Sequence, residues 1–127
     1  MNFFFDNNLP EKLAQAMRLL DIDVTVEHLK EKFRQDEKDE VWLKYVGEEG
    51  LILVTRDQKI RKRPVELLSY RQHKVGAFIL TGKKLGKWQG IKQLICAWEE
   101  MKILAAGERR PFAFQVRPSG RIKSLAV

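Results

Sequence analysis

The 127-residue chain contains one cysteine and two histidines, and that scarcity removes whole classes of chemistry. A single thiol cannot close an internal disulfide or build a cysteine zinc site, and Cys96 falls within an apolar helical pattern, where it reads as a core residue. His28 and His73 lie in unrelated contexts, and neither has a partner at i,i+3 or i,i+4, so a histidine metal pair is not expected. No apolar run approaches the roughly 18 residues that would cross a bilayer. Phe3-Phe4-Phe5 meets Asp6 at once, where a signal peptide would carry a basic segment, so the expectation is a cytoplasmic protein with no membrane partner. A P-loop and a GxGxxG turn are also missing, so no nucleotide cofactor is indicated. With no repeat, linker or low-complexity tract, residues 1–127 are expected to form one domain around one core.

Against these absences stands a repeated pattern, an aspartate directly behind a run of strand-forming residues. Phe3-Phe4-Phe5 runs into Asp6, and Leu51-Ile52-Leu53-Val54-Thr55-Arg56 runs into Asp57. In a parallel sheet the carboxyl ends of the strands open on one edge, and ligands bind there at the point where strand order reverses. Two strand-end acids facing one crevice repel unless they are protonated or bridged by a cation. Oxygen-only ligand sets suit magnesium or manganese. A shared divalent-metal site is therefore expected before any family is considered.

Charge is divided along the chain. The formal net charge is +7, yet residues 1–55 carry 7 Lys and Arg against 12 Asp and Glu, while residues 56–127 carry 17 against 5. An acidic half joined to a basic half suits a protein that holds cations in one place and a polyanion beside it, which points to nucleic acid. The run Lys59, Arg61, Lys62 and Arg63, with Arg56 and Arg71 near it, follows the second strand-end acid and is the best candidate for phosphate contacts. Lys83, Lys84 and Lys87 form an alternative path.

Hydrophobic periodicity gives the order βαβααβαβαββ. Strands are expected at Asn2 to Phe5, Asp23 to Val26, Leu51 to Val54, Gly76 to Leu80, Phe112 to Val116 and Ile122 to Val127. A first helix opens around Asn7-Asn8-Leu9-Pro10-Glu11, with an Asn as cap and Pro10 in the first turn. Glu27-His28-Leu29 begins a helical turn ending near Phe33; a further helix starts at Asp39 and ends at Gly50, and another follows Pro64. The longest helix, from Trp88 to about Leu104, repeats apolar residues at Ile91, Leu94, Ile95, Trp98 and Met101, and both Trp88 and Trp98 read as core. Repeated βα units on a chain this short imply a three-layer α/β/α sandwich with a mainly parallel sheet. Pro118-Ser119-Gly120 closes an antiparallel C-terminal hairpin.

Phe3-Phe4-Phe5-Asp6-Asn7-Asn8-Leu9-Pro10, then Asp39-Glu40-Val41-Trp42-Leu43, then Leu53-Val54-Thr55-Arg56-Asp57 with a basic tail, resembles the PIN-like nucleases, particularly the subgroup similar to VapC-type toxins of toxin–antitoxin pairs. The resemblance implies a compact α/β/α fold that cleaves RNA with Mg2+ or Mn2+ held by three or four acids. It assigns catalytic and metal-binding roles to Asp6, Asp39 and Asp57. Asp36, Glu37 or Glu40 could replace Asp39, whose other role is a helix cap, with Glu40 the first choice among them, and Asn8 could add a carbonyl oxygen or hold a metal-bound water. As partners it implies RNA, a small antitoxin protein and a second copy of the chain. Many relatives carry another acid two residues after the Thr-x-Asp aspartate; Lys59 stands there, and no acid occurs between Glu66 and Glu99, so a fourth ligand is not apparent. The same fold without a complete acid set would be a non-catalytic nucleic-acid-binding or protein-interaction module. Haloacid-dehalogenase phosphatases also begin with a strand-end Asp, but they use a second Asp where this chain has Asn8.

Overall fold

Three consecutive phenylalanines can all be buried only in a strand covered on both faces, because successive side chains point to opposite sides of a sheet. Strand β1 (Asn2–Phe5) occupies that position. A computed structural model describing residues 1–82 and 86–127 places it inside a six-stranded sheet of order β2-β1-β3-β4-β5-β6, with β2 (Thr25–His28), β3 (Ile52–Thr55), β4 (Gly76–Leu80), β5 (Phe112–Val116) and β6 (Ile122–Leu125). All neighbours run parallel except β5 and β6, the antiparallel C-terminal hairpin. Phe3 and Phe5 point into one core with Ile52, Val54, Phe78 and Phe114. Phe4 points into the other with Leu53, Ala77 and Ile79.

Helices α1 (Glu11–Leu20) and α5 (Lys87–Gly107) cover the first face, while α2 (Leu29–Lys32), α3 (Asp39–Glu48) and α4 (Pro64–Gln72) lie on the second. The result is the three-layer α/β/α sandwich expected. The connections from β2 to β3 and from β3 to β4 pass over the second face, but the one from β4 to β5 passes over the first while stepping in the same direction. It therefore has the opposite hand, a departure from the usual uniform handedness, and it lays α5 beside α1. Trp98 Nε1 and Lys102 Nζ both donate to Asp21 Oδ2, at 2.8 and 2.7 Å, and lock the two helices together just past the end of α1.

Several local expectations are corrected. The first helix starts at Glu11 with Pro10 as its cap residue, and Asn8 instead turns back to Asp6. The second strand extends to His28, whose Nδ1 accepts from Lys30 N and whose buried ring meets Leu9 O, so His28 ends a strand where a helical turn was read. Cys96 is exposed, and Trp88 is 65% exposed, because the buried face of α5 runs through Leu94, Ala97, Trp98 and Met101. Gly50, at φ +68°, turns the chain after α3 into β3. Lys83 and Lys84 lie outside the described residues. No helix among the described residues is long and apolar enough to cross a membrane.

Candidate active site

Strand order reverses between β1 and β3, because β1 leads outward to β2 while the chain then returns across β1 to β3. The register sets Phe5 against Val54, so Asp6 falls beside Thr55 at the carboxyl edge, and Asp57 follows two residues on. Asp6 is buried. Its carboxylate accepts from Thr55 Oγ1, from Asn8 N at 3.0 Å and from Asn8 Nδ2 at 3.4 Å. Thr55 Oγ1 in turn accepts from Asp57 N at 2.9 Å. One hydroxyl thus joins the two strand-end acids.

Asp39 stands at the first position of α3, where Trp42 Nε1 donates to its Oδ1 at 3.1 Å. Its other oxygen accepts from Arg63 Nη2 at 3.3 Å; the same nitrogen pairs with Asp57 Oδ2, and Arg63 Nε lies 3.3 Å from Glu66 Oε1. Asp39, Asp57 and Glu66 therefore converge on one guanidinium, with Asp6 attached through Thr55. Glu40 is half-buried beside Asp39. Among the described residues, no three acidic, histidine or cysteine side chains lie close enough to share one metal ion. In the arrangement seen, Arg63 occupies the position that brings the acids together. The donor set is oxygen-only and suits a hard divalent cation, but Arg63 would have to withdraw for the acids to close on one.

Burial pushes the Asp6 carboxyl up from the ordinary 3.8 to about 6, with the hydrogen bonds from Thr55 and Asn8 opposing and the charge of Asp57 adding to the shift. Burial also raises Asp39, against the Trp42 hydrogen bond and the Arg63 charge. A folded-state value above the unfolded one means that ionisation opposes folding. The contribution of Asp6 is absent below 3.8 and grows as pH rises to about 6, where stability has fallen by about 3 kcal/mol. Urea unfolding in chelator should show that loss across the interval in the wild type, and Asp6→Asn should remove it. Coincident pH profiles for the two proteins would contradict a buried, ionisable Asp6.

The six basic candidates separate in space. Arg56, Lys59 and Lys62 line a cleft of about 520 Å3 with Asn8, Asp57 and Gln58. Arg63 is engaged by acids, and Arg61 donates to Ala126 O near the C-terminus. Arg71 stands in the last turn of α4, near the start of β4 and so at the opposite edge of the sheet. A second cleft of about 400 Å3 shares Asn8 and Arg56 with the first and opens between the starts of α1 and α5. Lys87, expected only on an alternative path with Lys83 and Lys84, lines this second cleft, and the residues that the sequence did not point to are Glu66 and Lys30. The i,i+3 spacing of Arg63 and Glu66 at the start of α4 was the one local signal for the first.

A family model described as a PIN-like domain matches residues 1–82, a span that holds Asp6, Asp39, Asp57, Arg63 and Glu66. No curated protein and no solved structure matches the chain.

Proposed function

Since the chain belongs to the PIN-like domain family, whose members are typically nucleases, we propose that it is a divalent-metal-dependent endoribonuclease and the toxin of a toxin–antitoxin pair. The observation that carries this is the acid cluster at the switch point of the sheet, with a cation-lined cleft directly against Asp57. Asp6, Asp39 and Asp57 would hold Mg2+ or Mn2+, with Glu66 or Glu40 as further acids and Asn8 positioned by Asp6. A bound divalent ion supplies activation of a water and neutralisation of charge on the phosphate. The chain's own part is to position. Thr55 fixes the relation of Asp6 to Asp57, Trp42 orients Asp39, and Arg56, Lys59 and Lys62 hold the phosphate backbone beside the acids.

A second reading, a non-catalytic nucleic-acid-binding or interaction module, is favoured by one observation: Arg63 already pairs with Asp39, Asp57 and Glu66, where a metal ion would sit. The two are separated by incubating the protein with mixed single-stranded and structured RNA in magnesium, in manganese and in chelator. Metal-dependent cleavage supports the enzyme, and RNA binding without cleavage in any metal supports the module. The toxin role is tested by expressing the chain with and without a small protein encoded beside it; rescue of growth and a stable complex are expected.

Phosphate contacts release counterions, so binding should weaken steeply with salt. Changing Arg56, Lys59 and Lys62 together to Gln should lower RNA affinity and flatten the salt dependence by about 2 to 3 in log–log slope, roughly one per lost contact. Changing Arg61 and Arg71 should leave the slope near the wild-type value. Equal slopes for the two sets would place the RNA path elsewhere.

A further inference from the structure

The cleft between α1 and α5 contains none of the acids, and its lining differs from that of its neighbour. The cleft beside Asp57 is lined by polar and charged residues only, three of them cations. The second has an apolar side made by Leu9, Pro10, Leu13 and Ile91, exposed amides from Asn7 and Asn8, and three cations, Lys30, Arg56 and Lys87. None of those cations pairs with a carboxylate among the described residues. Gly90 contributes by having no side chain, since a Cβ there would lie 2.9 Å from Arg56 Nη1, so the guanidinium rests against the first turn of α5. At about 400 Å3 the space is within the range of small-ligand sites.

An apolar wall matches the face of a base, amides match its edge, and lysines and arginine match its phosphate. We propose that this cleft is a nucleotide subsite that takes one unstacked base, with its phosphate, from a single RNA strand passing the acids. The occupant follows from the lining: a phosphate alone would make no use of the apolar wall, and an apolar ligand would leave three cations unanswered. A base in a duplex keeps its faces stacked, so only an unpaired nucleotide can enter. Because Arg56 and Asn8 line both clefts, and the Asn8 amide donates to Asp6, a strand seated with one base in this cleft and its backbone along Lys59 and Lys62 crosses the acids between them. The chain would then select single-stranded or looped RNA. This deepens the nuclease reading and rests on it for the identity of the polymer.

Binding can be read without catalysis. The wild-type protein in chelator is titrated with a nucleoside 5′-monophosphate, ribose 5-phosphate and inorganic phosphate, following affinity and the methyl resonances of Leu13 and Ile91. The nucleotide should bind about tenfold or more tightly than ribose 5-phosphate, in line with the usual worth of one base contact, and should move both methyl signals. Lys87→Glu and Lys30→Glu, both at exposed positions, should each weaken it several-fold, whereas Arg71→Glu should not. Equal binding of nucleotide and ribose 5-phosphate would overturn the base subsite, as would nucleotide binding that leaves the two methyls unmoved, or no binding at all. Cleavage of long RNA in manganese is scored separately. Cleavage without nucleotide binding defeats the subsite alone, and nucleotide binding without cleavage defeats the nuclease reading alone.

Discussion

Asp6→Asn and Asp57→Asn should each reduce metal-dependent RNA cleavage by about a thousandfold or more, with RNA affinity unchanged or slightly increased. A ligand carboxylate that holds the activating ion contributes several kcal/mol of charge stabilisation, and each 1.36 kcal/mol is tenfold in rate. RNA affinity should survive because the proposed phosphate contacts are those of Arg56, Lys59 and Lys62, which line the cleft beside Asp57, and removing a carboxylate beside them lessens repulsion. Stability gives a control. Asp6 is buried with its carboxyl pushed up to about 6, so Asp6→Asn should leave the metal-free protein at least as stable near neutrality. Lost cleavage therefore cannot be confused with lost fold. Single-turnover cleavage, RNA binding in chelator and thermal melting of the same preparations decide the matter, and cleavage that persists in both variants would put the chemistry elsewhere.

Phe4→Ala should cost about 3–5 kcal/mol and lower the melting temperature by about 10–20 °C, the expectation for deleting a fully buried aromatic ring. Phe4 is the residue of β1 that reaches the second layer. Its ring lies 5.8 Å from Trp42 in a stacked arrangement and 6.0 Å from Tyr45. The effect extends to the site, because Trp42 Nε1 donates to Asp39. The milder Phe4→Leu should keep the fold, with cleavage falling by a larger factor than stability alone explains. Calorimetry on both variants, with cleavage by Phe4→Leu below its melting range, tests this. A loss below about 1 kcal/mol for Phe4→Ala would mean that the α3 layer is not held by this stack.

Where apolar runs are bounded by chain-breaking residues, the elements were legible in full: Asn2–Phe5, Gly76–Leu80 and Phe112–Val116 have the bounds expected from the sequence. The errors fall where tertiary contacts overrule local pattern. His28 pairs with Phe5 across the sheet, and that register extends β2 past the point where Glu27-His28-Leu29 looked helical. Trp88 and Cys96 fit an apolar stripe on α5, but docking of α5 against α1 is set by Trp98 and Lys102 meeting Asp21, and this turns Trp88 and Cys96 outward.

The site divides in the same way. Asp6 and Asp57 were visible as strand-end acids because strand ends share one edge. Arg63 read as one more cation of a basic run, and only the approach of α3 to α4 discloses that it bridges Asp39 and Asp57. The subsite on α1 and α5 was invisible for a related reason. Lys30, Arg56 and Lys87 come from three separate segments and meet only in the folded chain.

The most direct measurement is an anomalous difference map from crystals grown with manganese. The account predicts one manganese ion within coordination distance of carboxylate oxygens from Asp6 and Asp57, with Asp39 or Glu66 completing the set and the Arg63 guanidinium moved out of the cluster. A map in which Arg63 stays between Asp39, Asp57 and Glu66 and no manganese lies at the carboxyl edge of β1 and β3, from protein that cleaves RNA in that same manganese buffer, would contradict it.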